Sequence, residues 1–195
     1  MESEQFIFVA NNLALDFVNT EVGVGEQYSD KLESAENVLE WLHAASLISA
    51  KQPEALPNLL PLAKELRAEM NQTIAHAKKG IGYETKCANS ILKKGSPYPQ
   101  IAWQENEKKF VINYHHATLT VEALLQPVAH AFLHLLTELD FSLVKQCEAD
   151  DCVLMFHDQT KSHRRRWCSM ALCGNRMKAA AHRKRNRSEN KKREY

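Results

Sequence analysis

No stretch of this chain approaches the ~20 apolar residues that span a membrane. Its start, Met1-Glu2-Ser3-Glu4-Gln5, lacks the basic opening of a secretory signal. Missing too are the G-x-S-x-G, phosphate-loop and H-E-x-x-H motifs. There is no internal repeat, and no low-complexity segment before the C-terminal tail. These absences point away from a membrane protein, a secreted protein and the commoner enzymes. The expectation is a non-enzymatic protein of a reducing cytoplasm, where close cysteine pairs argue for metal over disulfides. The one loose pair an enzyme reading has, His115-His116, falls at the end of a predicted strand, where exposure explains it equally well.

Net charge is nearly absent overall, at +1, but its distribution is uneven. Residues 1–160 hold 12 Lys and Arg against 22 Asp and Glu, a net −10; residues 161–195 hold 13 against 2, a net +11. An acidic body with a basic tail points to a polyanionic partner for the tail. The competing reading of a charge run is a solvated tail kept for solubility.

With 195 residues and 44% hydrophobic content the chain has enough apolar material for one medium domain and a small appendage. The periodicity is mostly helical. Residues 12–19 form a short amphipathic run, and residues 21–33, with Gly23 and Gly25, read as a loop. Ser34 is placed to cap a helix over 35–46, with Ala35, Val38, Leu39, Leu42 and Ala45 on one face. Pro53, Pro57 and Pro61 interrupt the pattern; past Pro61, Leu62, Leu66, Met70, Ile74 and Ala77 predict a long helix closed at Gly80. A shorter helix is expected over 83–94, with Cys87 beside Ile91 as a small buried hydrophobe. Alternation at Ile101 and Trp103, and again at Phe110, Ile112 and Tyr114, predicts a β-hairpin. Helical spacing returns from Val121 to Leu139, where Pro127 is expected to divide a short piece from a longer one. The fold class expected is mainly α: a helical domain with one β-hairpin over 1–140, then a small four-cysteine zinc finger ending in a basic helix over 141–195.

Cys147, Cys152, Cys168 and Cys173 form two close pairs with four residues inside each pair and fifteen between them. That is the pattern of a tetrahedral four-thiolate zinc site, with sulfurs at ~2.3 Å from the metal. Four thiolates leave no open coordination position, so the site is structural. His157 and His163 lie between the pairs and are read as spectators. Phe156, Trp167 and Met170 are nearly all the apolar bulk of the finger, and Trp167 is expected beside the metal. A segment this poor in core needs such a staple.

Arg164, Arg165 and Arg166 run into Trp167, and past Gly174 the residues Arg176, Lys178, Arg183, Lys184, Arg185 and Arg187 spread around a predicted helix capped by Asn175. A helix polar on all sides is not held by packing and calls for a partner. Duplex DNA meets that need; RNA or an acidic protein surface, including the chain's own acidic body, meets the same electrostatics.

The stretch from Phe156 through Cys173-Gly174-Asn175-Arg176 strongly resembles the CGNR zinc-finger family, and Leu13-Ala-Leu-Asp-Phe-Val-Asn-Thr with Trp41-Leu42 resembles the opening of its usual companion, the ABATE domain. The four cysteines match that family's ligand positions one by one. The resemblance implies a bacterial, stress-linked transcription regulator in which the finger binds DNA and the helical domain senses a ligand or mediates assembly, including a homodimer. Asp16 and Asn19 share a face if helical and can line a small-molecule pocket; the competing reading is hydrogen bonding to neighbouring backbone.

Overall fold

The computed structural model describes residues 6–49, 56–116 and 118–193, with side chains through residue 186. Among them lie six α-helices and three separate two-stranded antiparallel sheets. No helix among the described residues is long and apolar enough to cross a membrane. The chain divides into two compact units: Met1–Lys31 with Asp140–Tyr195, and Leu32–Leu139.

In the second unit the predicted helices appear with informative shifts. Helix α2, Ala35–Ala44, starts at a reciprocal capping box: Asn37 N donates to Ser34 Oγ and Ser34 N donates to Asn37 Oδ1. Val38, Leu39, Trp41 and Leu42 are its buried face. Helix α3, Leu59–Ala77, begins before Pro61, because a proline in the first turn loses a donor that had no intrahelical partner. Gly80 adopts φ +70° beyond its end, and Ile81 N donates back to His76 O, as expected of a glycine closing a helix. Pro53 lies outside the described residues.

Helix α4, Lys86–Gly95, has no side-chain cap of its own. Its free N–H groups are met from α3, where the Glu69 carboxylate accepts from Cys87 N and Ala88 N at 2.8 Å each. Cys87 is buried as expected, and burial pushes its thiol up to about 12. Helix α5, Val121–Thr137, runs unbroken through Pro127. The expected division does not occur: Leu124, Leu125, Val128, Ala129 and Phe132 are buried on both sides of the proline, and that burial outweighs one lost backbone bond. Gly95 admits the close approach of α5, since a Cβ there would meet Glu122 O at 2.3 Å.

The predicted hairpin is present as β3, Tyr98–Gln104, and β4, Lys109–His115, with Ile101 opposite Ile112 and Trp103 opposite Phe110.

The first unit joins two distant stretches of chain. Helix α1, Leu13–Val18, is capped by Asn12 Oδ1, which accepts from Leu15 N. The predicted loop that follows contains a minimal ribbon, β1 Glu21–Val22 with β2 Ser29–Asp30. Gly23 is required there: its φ is +74° and a Cβ would lie 2.1 Å from Gln27 O. From the C-terminal stretch come β5, Val144–Gln146, and β6, Met155–His157, paired antiparallel. The other edge of β6 is met by the N-terminal segment, where His157 N donates to Ala10 O at 2.8 Å.

Candidate metal centre and basic surface

Strands β5 and β6 carry the first cysteine pair at their connection. Cys147 N donates to Leu154 O, and Cys152 N closes a turn onto Ala149 O. The second pair brackets a wide helical turn, Met170–Gly174, in which Cys173 N and Gly174 N both donate to Ser169 O. Ser169 Oγ accepts from Leu172 N and so caps the turn. That turn runs directly into α6, Asn175–Arg193. Asn175 is therefore not a cap, since its φ −65° and ψ −41° are helical, and the expected start at 176 moves back into the metal loop itself. Gly174 allows this compact junction; a Cβ there would press on the Met170 thioether and approach the Trp167 ring.

The four sulfurs gather with all pairs within 4.8 Å. Cys152 Sγ lies 3.9 Å from Cys168 Sγ, which lies 3.6 Å from Cys173 Sγ. A tetrahedron with ~2.3 Å arms has edges of about 3.8 Å, so the cluster fits zinc and is too open for a disulfide. The hydrogen-bond contact with Cys168 brings Cys152 down to about 5, while that contact and burial push Cys168 up, and burial pushes Cys173 up. Packed this closely, the thiols ionise together only around a cation. His157 and His163 stay outside the cluster.

Just past β6 sits Asp158, which the sequence reading passed over. It is buried and accepts from Lys145 Nζ at 2.7 Å, Thr160 Oγ1 at 2.7 Å, Thr160 N at 3.1 Å and Arg165 N at 2.9 Å. Burial alone would raise its carboxyl, but these donors hold it well below the usual carboxylate range. The Asp158-x-Thr160 spacing, which favours a side chain turning back on its own backbone, was the available signal. Asp158 thereby anchors the loop that presents the three arginines.

Those arginines divide. Arg165 turns inward: Nε donates to Trp167 O at 3.0 Å, Nη2 donates to Val9 O at 2.7 Å and to Cys168 O, and its guanidinium lies 4.1 Å from the Phe156 ring centre. Its Nε and Nη2 thus bind the metal loop to the N-terminal segment, which sets Arg165 apart from the exposed arginines on either side of it. Arg164 is exposed, and Arg166 is exposed with Nε 2.6 Å from Glu148 Oε2. Arg176 forks onto Asp151 and donates to Cys173 Sγ at 3.6 Å, a contact to a ligand's own sulfur. Lys178, Arg183, Lys184 and Arg185 are exposed along α6, and the side chain of Arg187 lies outside the described residues. Trp167 stands beside the metal loop as expected, with Arg166 and Lys178 at 5.1 and 5.8 Å from its ring. It forms the wall of a cleft of about 650 Å³, together with Met177, Lys178, Ala181, His182 and Arg185.

Asp16 and Asn19 lie in α1 and at its end, and both are spent inside the fold. Asp16 Oδ1 accepts from Val9 N and Ala10 N at 2.9 Å each; burial raises its carboxyl to about 6 against the lowering effect of these bonds and of Arg165. The Asn19 amide takes both backbone groups of Met155, donating to its O and accepting from its N at 2.8 Å each. Of the two readings of this pair, these bonds support the backbone one: Asp16 Oδ1 and both ends of the Asn19 amide bind the chain's own backbone.

Comparison with known families agrees with this architecture. The ABATE family, described as "Putative stress-induced transcription regulator", matches residues 11–139, and the CGNR zinc finger matches residues 144–186. Neither is an enzyme family. No curated protein matches the chain. Four sulfurs at tetrahedral spacing, on a loop that opens a basic helix, behind a helical domain matched over most of its length, make this chain a member of the ABATE family that carries a zinc-binding CGNR finger.

Proposed function

We propose that this protein is a DNA-binding transcription regulator in which the zinc site sets the direction of α6. The observation that carries the reading is continuity: the loop holding Cys168 and Cys173 is the first turn of the helical run that bears Lys178, Arg183, Lys184 and Arg185. Metal binding therefore fixes the base of a helix that has almost no apolar face of its own. Arg164, Arg166 and these four residues are the phosphate-facing set, with Arg187 continuing the helix; Arg165 and Arg176 serve the scaffold. In this reading the expected boundary at 140 gives way to the two compact units: Leu32–Leu139 supplies assembly or sensing, and residues 140–195, joined by 1–31, supply nucleic-acid contact.

The test is fluorescence anisotropy of a labelled duplex against the zinc-loaded full chain between about 50 and 200 mM salt. Six phosphate contacts give a slope of about −5 in log affinity against log salt, a loss near a thousandfold across that range. Cys168→Ser is expected to weaken binding strongly. Binding that ignores salt, or that persists unchanged in Cys168→Ser, sinks the reading.

A further inference from the structure

The hairpin of β3 and β4 presents an unusual face. Because side chains alternate along a strand, the register places Pro99, Ile101 and Trp103 of β3 on the same side as Tyr114, Ile112 and Phe110 of β4. All six are apolar or aromatic and all are exposed. Ile101 is 77% exposed, Phe110 71%, Tyr114 66%, Ile112 62% and Trp103 46%. Trp103 and Phe110 meet edge to face at 5.0 Å, so the face is already ordered. The opposite side is mixed, with Gln100, Gln104, Lys109, Asn113 and His115 beside Tyr98, Ala102 and Val111, and only Ala102, Gln104 and Val111 of these are half-buried.

A two-stranded ribbon is marginal in water without a third strand or a packed face. At about 200 Å² for a fully exposed large side chain, the five exposures leave on the order of 650 Å² of apolar surface. Single copies rarely leave a contiguous patch this size uncovered unless it serves an interface. Two such faces together remove roughly 1,300 Å², within the ~1,200–2,000 Å² of specific protein complexes. Charge does not oppose the pairing: residues 32–139 hold 10 Lys and Arg against 11 Asp and Glu, close to neutral. The residues outside the described set, 1–5, 50–55, 117 and 194–195, contain no apolar run able to cover the face.

We propose that this face binds the same face of a second copy, giving a two-fold symmetric dimer centred on the Ile101–Ile112 pair. The interface is isologous, since each face offers the other what it receives. The proposal gives a concrete form to the assembly role suggested for the N-terminal module and rests on that role alone, not on nucleic-acid binding. A dimer would carry two basic helices, one from each copy, as regulators of paired half-sites do.

Sedimentation equilibrium of the zinc-loaded full chain, from about 1 to 100 µM and without nucleic acid, is the test. The expected result is twice the 22.2 kDa chain mass at the upper concentrations. Ile101→Thr with Ile112→Thr keeps β-branched strand formers while removing apolar surface, and is expected to weaken association by about a hundredfold or more. If that pair misfolds, Ile112→Lys and Ile112→Glu serve instead: each alone is monomeric, and their mixture recovers the dimer. A native chain monomeric at 100 µM overturns the proposal, whether the face then meets its own chain or an unlike partner. So does a dimer indifferent to every hairpin variant. The readout is mass, so it stays separate from any failure to bind DNA.

Discussion

Asn19 offers the sharpest test of how the finger is held. Its side chain lies at the end of α1, yet it satisfies both peptide groups of Met155 on the edge of β6. Asn19→Ala leaves that N–H and C=O without protein partners on a partly buried edge. An unmet buried group costs about 1–3 kcal/mol, and water reaching part of the edge trims the total to about 2–4 kcal/mol. The loss is local, so it is best read by native-state hydrogen exchange on the zinc-loaded protein. Protection of the β6 amides is expected to fall by about 30- to 1,000-fold, at 1.4 kcal/mol per factor of ten. Amides of α3 and α5, in the other unit, are expected to keep theirs. Asn19→Asp keeps the acceptor and loses the donor, so its loss should be smaller but still present. Unchanged protection across β6 in Asn19→Ala would refute the claim that the N-terminal segment completes the finger.

Three further outcomes follow from the same structure. Chelating the zinc should remove the signals of β5, β6 and the start of α6 while the helices of Leu32–Leu139 persist, as circular dichroism and exchange would show; loss of both units together would contradict their separation. Arg164→Ala should lower the salt slope of nucleic-acid binding by about 0.9 and leave stability alone, whereas Arg165→Ala should lower the chelator concentration that strips the metal; reversed effects would overturn the division of the arginines. Asp16, raised to about 6 from 3.8, binds more protons folded than unfolded between those values, so its contribution to stability is full below pH 4 and is lost as pH rises toward 6. Asp16→Asn keeps an acceptor for Val9 N and Ala10 N, and the difference between native and variant stability measured over pH 4–7 should show that slope; a flat difference would count against the burial of this carboxyl.

Much of this was legible in residue order, and the rest was hidden for identifiable reasons. The cysteine spacing carried the metal site because zinc geometry imposes it on sequence. Ser34, Gly80 and the alternation around Ile101 signalled locally, within a few residues, and the structure places elements there. Pro127 misled because a proline's local cost was set against burial that only the folded neighbours supply. Asn175 misled because Ser169, six residues earlier, holds the better cap, and the turn between them is widened by the metal loop. Asp16 finds its backbone partners six and seven residues away, within reach of a local reading, whereas Asn19 meets Met155, 136 residues away, which residue order does not signal. Arg165 is the same case, since a run of three arginines does not say which one turns inward to reach Val9 O.

The first unit is discontinuous: its two stretches flank the whole of residues 32–139. During synthesis this sets an order of events. The segment bearing Leu15, Phe17 and Val18 leaves the ribosome first, and its partner strands β5 and β6 follow only after the intervening residues are made. At about 5–20 residues per second the delay is roughly 5–20 s. Through that interval α1 has no strand edge to close and its apolar side chains lack their final cover. The finger thus forms later than the residues between its two stretches, and its β6 edge is completed when the waiting α1 segment is recaptured.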